Sequence, residues 1–248
     1  MLPEKAILSN NKFALNHASF VRCEIDSLLL RGCVIKCSFI PHVVNPLSVD
    51  QKVASGKLRL ILDLRHVNKC LSEFPVKYEG LNELLSYTQK GCYGIKFDLK
   101  QGYHHVGIFP EHQEFLGFAW PKDGKLDYYK FRVLPFGLST ACFLFTKVLR
   151  PLVERWRLCG MHIVLYLDDG ICVHKDREIL IQQVEVIRSD LADAGWIVNL
   201  EKSVFQPSQV LTWLGFLLNF DRFQISVPQE KISRVSEKKY LSLWQHSL

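Results

Sequence analysis

Alternating apolar positions predict several β-strands in this chain. The four leucines of Leu58–Arg65 (LRLILDLR) fall on one face of an extended strand, because successive side chains of a strand point to opposite faces. The opposite face carries two arginines and an aspartate, so this strand is half buried and presents charge to water or to a ligand. Ile95–Leu99 predicts a second strand. The apolar segments Met161–Tyr166 and Ile171–His174, on either side of Leu-Asp-Asp-Gly, predict a hairpin.

Apolar residues at three- and four-residue spacing predict two long helices. The first is Leu138–Arg157, in which Pro151 lacks a backbone donor and should kink or divide the helix. The second is Asp176–Ala194, whose first residue can cap the helix and which Gly195 can close.

Two further segments, Trp196–Asn199 and Leu211–Asn219, have the apolar character of strands. Strands and helices therefore alternate along the chain, but without the regular rhythm of βαβ units. Gly and Pro are spread evenly, so no linker between domains is expected. The pattern predicts an α+β fold with an antiparallel sheet beneath helices.

Composition narrows the class of protein. The 248 residues are 48% hydrophobic and 23% charged, which excludes intrinsic disorder, collagen and coiled coil, and the net charge of +6 is compatible with an anionic partner. The N-terminal residues lack the apolar core of a signal peptide, and the longest apolar stretch, Val210–Leu218, is about half the length of a spanning helix. These features, with eight cysteines that form no CxxC pair, predict an intracellular protein of the cytoplasm or nucleus without a membrane segment.

Three aspartates are the strongest candidates for chemistry. Asp168 and Asp169 are adjacent at the predicted hairpin tip, although Asp169 and Gly170 also suit a plain turn. Asp98 lies near the end of another predicted strand, and a helix N-cap with Gln101 is its alternative. Like charges repel unless a cation lies between or beside them, and hard cations prefer carboxylate oxygen. Two strand ends that present carboxylates suit a pair of metal ions roughly 4 Å apart, which catalyse displacement at phosphorus.

Basic residues cluster around the strand that ends at Arg65. A solvated strand edge is the usual explanation for such charge, and a clamp on phosphate is the functional one. The cluster consists of Lys52, Lys57, Arg59, Arg65 and Lys69.

Several segments, in fixed order, resemble the motifs of reverse transcriptases. LRLILDLRHVNK is similar to the fingers motif, and FDLKQGYHHV, LPFGLSTACFLF and YLDDG are similar to palm motifs A, B and C. GWIVNLEKSVF and LTWLGFLL then resemble motif D and the primer-grip strand pair. The residues of these segments are most similar to those of LTR-type retrotransposon polymerases, and within them to those of DIRS-like tyrosine-recombinase elements. The likeness extends from about Asn16 to Phe220.

The resemblance implies a two-metal catalytic site. Asp98 and Asp168 would coordinate two Mg²⁺ ions, for which Mn²⁺ is a substitute, and the backbone carbonyl of Leu99 would be a further ligand. Asp169 would be the third carboxylate of the set. Lys202 would protonate the pyrophosphate leaving group, and a solvated lysine is the alternative for this residue.

The resemblance also implies residues that bind nucleotide and primer. Arg59, with Lys52 as a second contact, would bind the triphosphate of the incoming nucleotide. Tyr103 would be the steric gate that rejects a ribose 2′-hydroxyl, and an ordinary buried aromatic is its alternative. Phe136 and Gly137 would line the nucleotide and template pocket. The primer grip would comprise Trp213, Leu214 and Gly215.

The implied architecture is a fingers and palm domain with an antiparallel palm sheet backed by helices. This domain would occupy residues 1–228, with fingers mainly in 16–90 and palm mainly in 91–225. Residues 229–248 would be a truncated tail or the start of a thumb that is essentially missing. The implied reaction adds dNTPs to a primer 3′-hydroxyl on an RNA or DNA template by two-metal phosphoryl transfer. Other retroelement domains, such as RNase H and recombinase, would be encoded separately.

Two other functions stay open at this point. An inactive retroelement remnant would fold or bind nucleic acid without catalysis. Another palm-type enzyme, such as a nucleotidyl transferase or cyclase, also places carboxylates on a strand and a hairpin. Tyr103, the basic strand and the LPFGLS segment together count against this second alternative.

Overall fold

The computed structural model describes residues 2–51 and 56–229 of the chain. The chain forms two compact units that are interleaved along the sequence: the first comprises residues 1–76 and 101–148, and the second comprises residues 77–100 and 149–248. The expected fingers and palm ranges, 16–90 and 91–225, are consecutive, and they stay a prediction. The expected tail, 229–248, lies outside the described residues except for Gln229.

Helices and strands are numbered in chain order. The α-helices are Lys12–Asn16 (α1), Ala18–Leu30 (α2), Arg65–Asn68 (α3), Leu81–Tyr87 (α4), Ala141–Leu158 (α5) and Arg177–Asp193 (α6). Short 3₁₀ turns span Gly102–His105 and Pro110–Phe115. The strands are Ala6–Ile7 (β1), Val34–Lys36 (β2), Val43–Asn45 (β3), Leu47–Gln51 (β4), Leu58–Leu62 (β5), Tyr93–Asp98 (β6), Gly117–Lys122 (β7), Lys125–Phe131 (β8), His162–Tyr166 (β9), Asp169–His174 (β10), Val204–Ser208 (β11), Val210–Trp213 (β12), Phe216–Asn219 (β13) and Gln224–Ser226 (β14).

The first unit is built around a mixed sheet with the order β1-β3-β7-β8-β2. β3 pairs in parallel with β1 and β7, whereas β8 pairs antiparallel with β7 and β2. β4 and β5 form a separate antiparallel pair. Helix α2 buries Val21, Ile25 and Leu28 in the core of this unit, as expected for apolar residues at three- and four-residue spacing.

The second unit contains an antiparallel sheet with the order β11-β6-β10-β9. Helix α6 packs against β6, β10 and β11, and its buried stripe is Leu180, Val184, Ile187 and Leu191. Asp176 caps α6 by accepting hydrogen bonds from the N–H groups of Glu178 and Ile179. The predicted α+β fold, with an antiparallel sheet backed by a helix, is confirmed. A second antiparallel sheet follows, with the order β12-β13-β14.

Two predicted elements before α6 differ in the structure. The division of the first long helix at Pro151 is wrong, because α5 continues through this residue. A proline removes one donor and disturbs one turn, and the buried side chains of Leu149, Val153 and Trp156 hold the helix on both sides of it. The strand that begins at Leu58 ends at Leu62 rather than at Arg65, where α3 begins.

The segments after α6 also differ. Trp196–Asn199 is not a strand, and only Val198 makes an isolated β-bridge. Leu211–Asn219 is not one strand but the hairpin β12–β13, because Leu214 and Gly215 both have positive φ and form the two-residue turn that hairpins favour. Among the described residues, no helix combines the length and the apolar character needed to cross a bilayer.

Candidate active site

The aspartates predicted for catalysis come together on adjacent strands of the second unit. Asp98 ends β6 and Asp169 begins β10, and the two are direct partners in the antiparallel register. Opposed residues of paired strands share a face, so these two carboxylates are neighbours. The Leu99 N–H donates to the carbonyl of Asp168 at 2.9 Å, which ties the two segments together at the aspartates. Leu99 itself is buried and makes a β-bridge with Val198.

Asp168 lies in the tight turn between β9 and β10. The turn consists of Leu167 and Asp168, because Tyr166 pairs with Asp169. Leu167 has a φ of +54°, a left-handed conformation that costs a bulky residue about 1–2 kcal/mol. The alternative in which Asp169 and Gly170 form the turn is therefore wrong, since both belong to β10.

Gly170 allows the two strands of this site to pack closely. A Cβ atom at this position would lie 2.2 Å from the ring of Phe97, its cross-strand partner. Phe97 is buried and packs edge-on against Trp156, with ring centroids 6.1 Å apart. There is consequently no room for a side chain at position 170, next to Asp169.

A turn at Asn199–Ser203 holds Lys202 against Asp98. Asn199 donates its N–H to the Asp98 carbonyl at 2.8 Å, and the Asp98 N–H donates to the Ser203 Oγ at 3.0 Å. The Lys202 Nζ lies 3.1 and 3.3 Å from the two carboxylate oxygens of Asp98. The alternative of Asp98 as a helix N-cap is wrong, because it ends a strand and pairs with this lysine. Nothing in the sequence pattern indicated the roles of Asn199 and Ser203.

Negative charge is crowded at this strand pair. Burial raises the pKa of Asp169 to about 6, and the neighbouring Asp168 and Asp98 carboxylates add to the rise, whereas Lys202 and Lys96 oppose it. Crowded carboxylate oxygens favour a hard cation, so the chemistry of these donors fits Mg²⁺. Among residues 2–51 and 56–229, however, no group of three or more His, Cys, Asp or Glu side chains converges closely enough to hold a metal ion. Beside Asp98, a lysine ammonium supplies the positive charge.

The segment predicted as the primer grip is the turn of the β12–β13 hairpin. Leu214 and Gly215 form this turn and are half-buried. Trp213 is 2% exposed and belongs to the core of the second unit, which leaves its side chain little surface for a ligand. Lys96 donates from Nζ to the Thr212 carbonyl at 2.8 Å, so a residue of β6 anchors this hairpin.

Four residues predicted to bind nucleotide, Arg59, Tyr103, Phe136 and Gly137, lie in the first unit, and Phe136 contacts both Arg59 and Tyr103. The Phe136 ring lies edge-on to the Tyr103 ring at 5.1 Å, and the Arg59 guanidinium lies 5.4 Å from the Phe136 centroid. The Tyr103 ring also packs edge-on against Phe145, and its hydroxyl lies 3.0 Å from the Cys142 Sγ. Tyr103 is half-buried, a position that suits both a steric gate and an ordinary packed aromatic.

Gly137 occupies a position that only glycine fits. Its φ is +103°, and a Cβ atom would lie 2.8 Å from the Leu62 carbonyl. Asn68 donates from Nδ2 to the Gly137 carbonyl at 2.9 Å and accepts at Oδ1 from the Ser139 N–H at 3.0 Å. Asn68 therefore clamps the LPFGLS segment, a role that the sequence pattern did not indicate.

Arg59 and Phe136 line a cavity of about 180 Å³, termed the arginine cavity. Its other polar lining residues, which the sequence analysis missed, are Glu24, Arg31, Gln101 and His104. Its apolar lining residues are Leu28, Leu47, Leu58, Leu60, Leu62 and Phe131. These residues come from separate elements, so no local spacing in the sequence connects them.

Most of the predicted basic cluster does not reach this cavity. Of its described members, Arg59 alone lines the cavity, and Lys57 and Lys69 are exposed elsewhere on the surface. Arg65 pairs with Asp63 at 2.6 Å. Lys52, predicted as the second phosphate contact, lies outside the described residues.

Comparison with known proteins identifies relatives of this chain. Residues 50–218 match the family model described as "Reverse transcriptase (RNA-dependent DNA polymerase)". The chain is 30% identical over 196 residues to the Pro-Pol polyprotein of Simian foamy virus type 1, a match that covers 79% of this chain and 16% of the polyprotein. It is 28% identical over 226 residues to the retrovirus-related Pol polyprotein from transposon gypsy of Drosophila melanogaster, covering 89% of this chain and 21% of the polyprotein. The chain thus spans only a small part of these relatives.

Solved structures share the fold. A foamy viral protease-reverse transcriptase in complex with dsDNA has a TM-score of 0.79 at 23% identity, over 95% of this chain and 46% of that chain. A foamy viral protease-reverse transcriptase in complex with an RNA/DNA hybrid has a TM-score of 0.76 at 22% identity, over 95% and 30% of the two chains. The match of residues 50–218 to the reverse transcriptase family model does not favour a cyclase-like palm enzyme. Since the family model covers more than half of its length, the chain belongs to the reverse transcriptase (RNA-dependent DNA polymerase) family.

Proposed function

We propose that this chain is the RNA-directed DNA polymerase domain of an LTR-type retroelement, and that it adds dNTPs to a primer 3′-hydroxyl on an RNA or DNA template. The observation that carries the proposal is the strand register, which pairs Asp98 with Asp169 and puts Asp168 in the adjoining turn. Family membership supports it, as do the names of the relatives, which are Pol polyproteins of a virus and of a transposon.

The aspartates are proposed to hold two Mg²⁺ ions, with the Leu99 carbonyl as a further ligand and Mn²⁺ as a substitute. Such ions, when bound, lower the pKa of the attacking hydroxyl and stabilise charge on the leaving pyrophosphate. The protein's own part is to keep Asp98, Asp168 and Asp169 at a fixed spacing. Lys202, once it releases Asp98, would donate a proton to the leaving group.

The remaining proposed roles concern nucleotide and primer. Arg59 and Lys52 would contact the triphosphate, and Phe136 and Gly137 would line the nucleotide and template pocket. Tyr103 would exclude a ribose 2′-hydroxyl. The primer would contact the turn formed by Leu214 and Gly215, with Trp213 as the buried base of that turn.

The finer assignment is to DIRS-like tyrosine-recombinase elements, which the segments LDLRHVNK, GYHHV and YLDDG support. Separately encoded RNase H and recombinase domains would then be partners, and the location would be intracellular, in cytoplasm or nucleus. A tyrosine-recombinase reading frame beside this gene would support the assignment, and a complete element without one would contradict it.

Primer extension tests the proposed activity. The purified chain should extend a DNA primer on an RNA template with dNTPs and MgCl₂ at low salt, since contacts with phosphate weaken as salt rises. Asp168→Asn should reduce extension on the order of 10³-fold or more, because it removes one of the carboxylates proposed to hold the metal ions. Asp221→Asn is the matched control, since Asp221 is an exposed carboxylate in the turn between β13 and β14.

The same assay separates an active polymerase from an inactive remnant. A folded wild-type chain that binds primer–template but extends nothing would contradict the proposal and identify a remnant. Equal extension by wild type and Asp168→Asn would contradict the assignment of this aspartate.

A further inference from the structure

The arginine cavity is lined by two guanidinium groups, and the proposed function uses only one of them. Arg31 stands at the C-terminal end of α2 and lines the same cavity as Arg59. Its backbone N–H and its Nε both donate to the Ser27 carbonyl, at 3.1 and 3.2 Å. The bond from Nε orients the guanidinium of this exposed residue at the helix end, beside the cavity.

The outer part of the Arg31 guanidinium is only partly used. Its Nη1 donates to the Gln101 Oε1 and lies 3.2 Å from the His104 Nδ1. Its other terminal nitrogen, Nη2, makes no hydrogen bond within the part of the chain that the structure describes. A guanidinium in this state has donors left for an anion, and its planar fork matches the oxygens of a phosphate group.

The balance of charge in the cavity favours an anion. Burial lowers the pKa of His104 to about 4, and Arg31 and His105 add to this effect, so His104 is neutral at pH 7. Glu24 is the one carboxylate among the lining residues, against the two guanidinium groups. The volume of the arginine cavity, about 180 Å³, is below the roughly 300 Å³ at which pockets begin to enclose a drug-sized ligand. The cavity therefore suits part of a ligand, such as a phosphate chain.

We infer that Arg31 is a second phosphate-binding residue, which contacts the polyphosphate chain of a nucleoside triphosphate together with Arg59. This inference rests on the proposed function, which supplies the nucleotide. In the structure Arg31 bonds Gln101 and His104, and a bound polyphosphate would add to these contacts or replace them. Arg31 thereby becomes a nucleotide-binding residue that no motif in the sequence indicated.

Calorimetric titration with inorganic tripolyphosphate in EDTA tests the inference without requiring polymerisation. Arg31→Met should weaken binding about tenfold or more, the effect of losing one hydrogen bond to a charged group, and Arg59→Met should act similarly. Arg22→Met should bind like wild type. It is the matched control, because Arg22 is an exposed arginine of the same helix that does not line the cavity.

Two further variants separate binding from a merely structural role. Gln101→Ala removes the partner of Arg31 but keeps the guanidinium, so it should bind tripolyphosphate at least as tightly as wild type. Glu24→Gln removes the opposing charge and should strengthen binding severalfold. If Gln101→Ala weakens binding as much as Arg31→Met does, Arg31 acts by holding Gln101 and the inference is overturned.

The possible results of the titration are distinguishable from those of primer extension. Wild-type affinity in Arg31→Met beside weakened binding in Arg59→Met overturns the inference and leaves the proposed function intact. A wild-type chain that does not bind tripolyphosphate also overturns it. A chain that binds tripolyphosphate through Arg31 but extends no primer supports the inference and contradicts the proposed function. Should the methionine variant not fold, Arg31→Gln carries the same test, because it removes the charge and keeps a polar side chain.

Discussion

The aspartate strand pair and the arginine cavity are specified by different kinds of interaction. Asp98 and Asp169 face each other because the β6–β10 register puts them there, and backbone hydrogen bonds maintain that register. The polar residues of the cavity come from separate places: Arg31 at a helix end, Arg59 on β5, and Gln101 and His104 near a 3₁₀ turn. Side-chain contacts hold them together. Because backbone hydrogen bonds set the strand register, a single side-chain substitution should leave the register unchanged. The lining of the cavity depends on side chains, so each substitution there should change it.

The two regions also differ in charge. Three carboxylates accumulate at the strand pair, where Lys202 offsets them. The cavity has an excess of guanidinium, and its histidine stays neutral. Cation-binding and anion-binding chemistry are thus built by separate parts of one chain. The following substitutions test two expectations. The properties of the cavity should depend on individual side-chain contacts, and those of the strand pair should depend on packing and charge.

The largest expected effect on substrate selection concerns Tyr103, whose ring packs against Phe136 of the cavity lining. Tyr103→Val should raise the use of ribonucleotides relative to deoxyribonucleotides by about 10²-fold, because it removes the ring that would meet a 2′-hydroxyl. Single-nucleotide incorporation with each type of triphosphate measures this ratio. Tyr103→Phe is the matched control and should discriminate like wild type, since it loses only the hydroxyl near Cys142. Unchanged discrimination in the valine variant would identify Tyr103 as a packed aromatic.

The next effect is the pH dependence that His104 confers on the stability of the cavity. Its pKa is about 4 in the folded chain and near the ordinary 6.5 when unfolded, so the unfolded chain binds more protons between these values. The free energy of unfolding should therefore fall by up to about 3 kcal/mol as pH drops from about 6.5 to 4. Above pH 6.5 the ring is neutral in both the folded and the unfolded chain, so this loss of stability is absent.

Urea unfolding across this pH range measures the effect of His104. His104→Gln should lose most of the dependence, because glutamine does not titrate. His112→Gln, at an exposed histidine, is the control and should keep the wild-type profile. Parallel profiles for wild type and His104→Gln would show that the His104 ring gains its proton without cost.

A packing change tests the strand pair. Gly170→Ala should lower the free energy of unfolding by about 1–3 kcal/mol, since the new methyl group overlaps the buried Phe97 ring. Chemical denaturation measures the loss. Gly107→Ala is the control, because a Cβ atom there meets nothing within 4 Å. A neutral Gly170→Ala would mean that the strands separate easily, and it would remove the distinction between the two regions.

The smallest effect concerns charge at the strand pair. Lys202→Met should lower the free energy of unfolding in EDTA by about 1 kcal/mol, because Asp98 loses its ion-pair partner. Saturating MgCl₂ should shrink this difference, since a bound cation takes over the compensation. Lys36→Met is the control, because Lys36 pairs with Asp127, a carboxylate outside the proposed metal site, so its effect should not depend on Mg²⁺. A loss for Lys202→Met that is equal in EDTA and MgCl₂ would contradict this role.

The sequence predicted the features that depend on the spacing of apolar and polar residues within one element. The alternation around β6 and β10, the stripe of α6 and the Asp176 cap were all visible, because each is set by neighbours within one element. The alternation of strand and helix patterns predicted the α+β fold, and the order of the motifs predicted the reverse transcriptase family; both are confirmed.

What the sequence did not predict depends on contacts between distant elements. A dipeptide preference favoured Asp169–Gly170 as the turn, but the register instead imposed a positive φ on Leu167. Packing along α5 outweighed the missing donor of Pro151. Arg31 and Asn68 are single polar residues without periodic neighbours. Their roles depend on groups distant in the sequence, which are the other lining residues of the arginine cavity for Arg31 and the Gly137 carbonyl for Asn68.

The hydrogen bond between Leu99 and Asp168 limits which acid can serve in this site. With the strands tied at that point, the reach of each carboxylate is decided by side-chain length alone. A glutamate at position 98 or 169 would carry its charge one methylene further, and the sheet has no freedom to retreat by the same distance. The backbone therefore favours the shorter acid at these positions, before any ligand is bound.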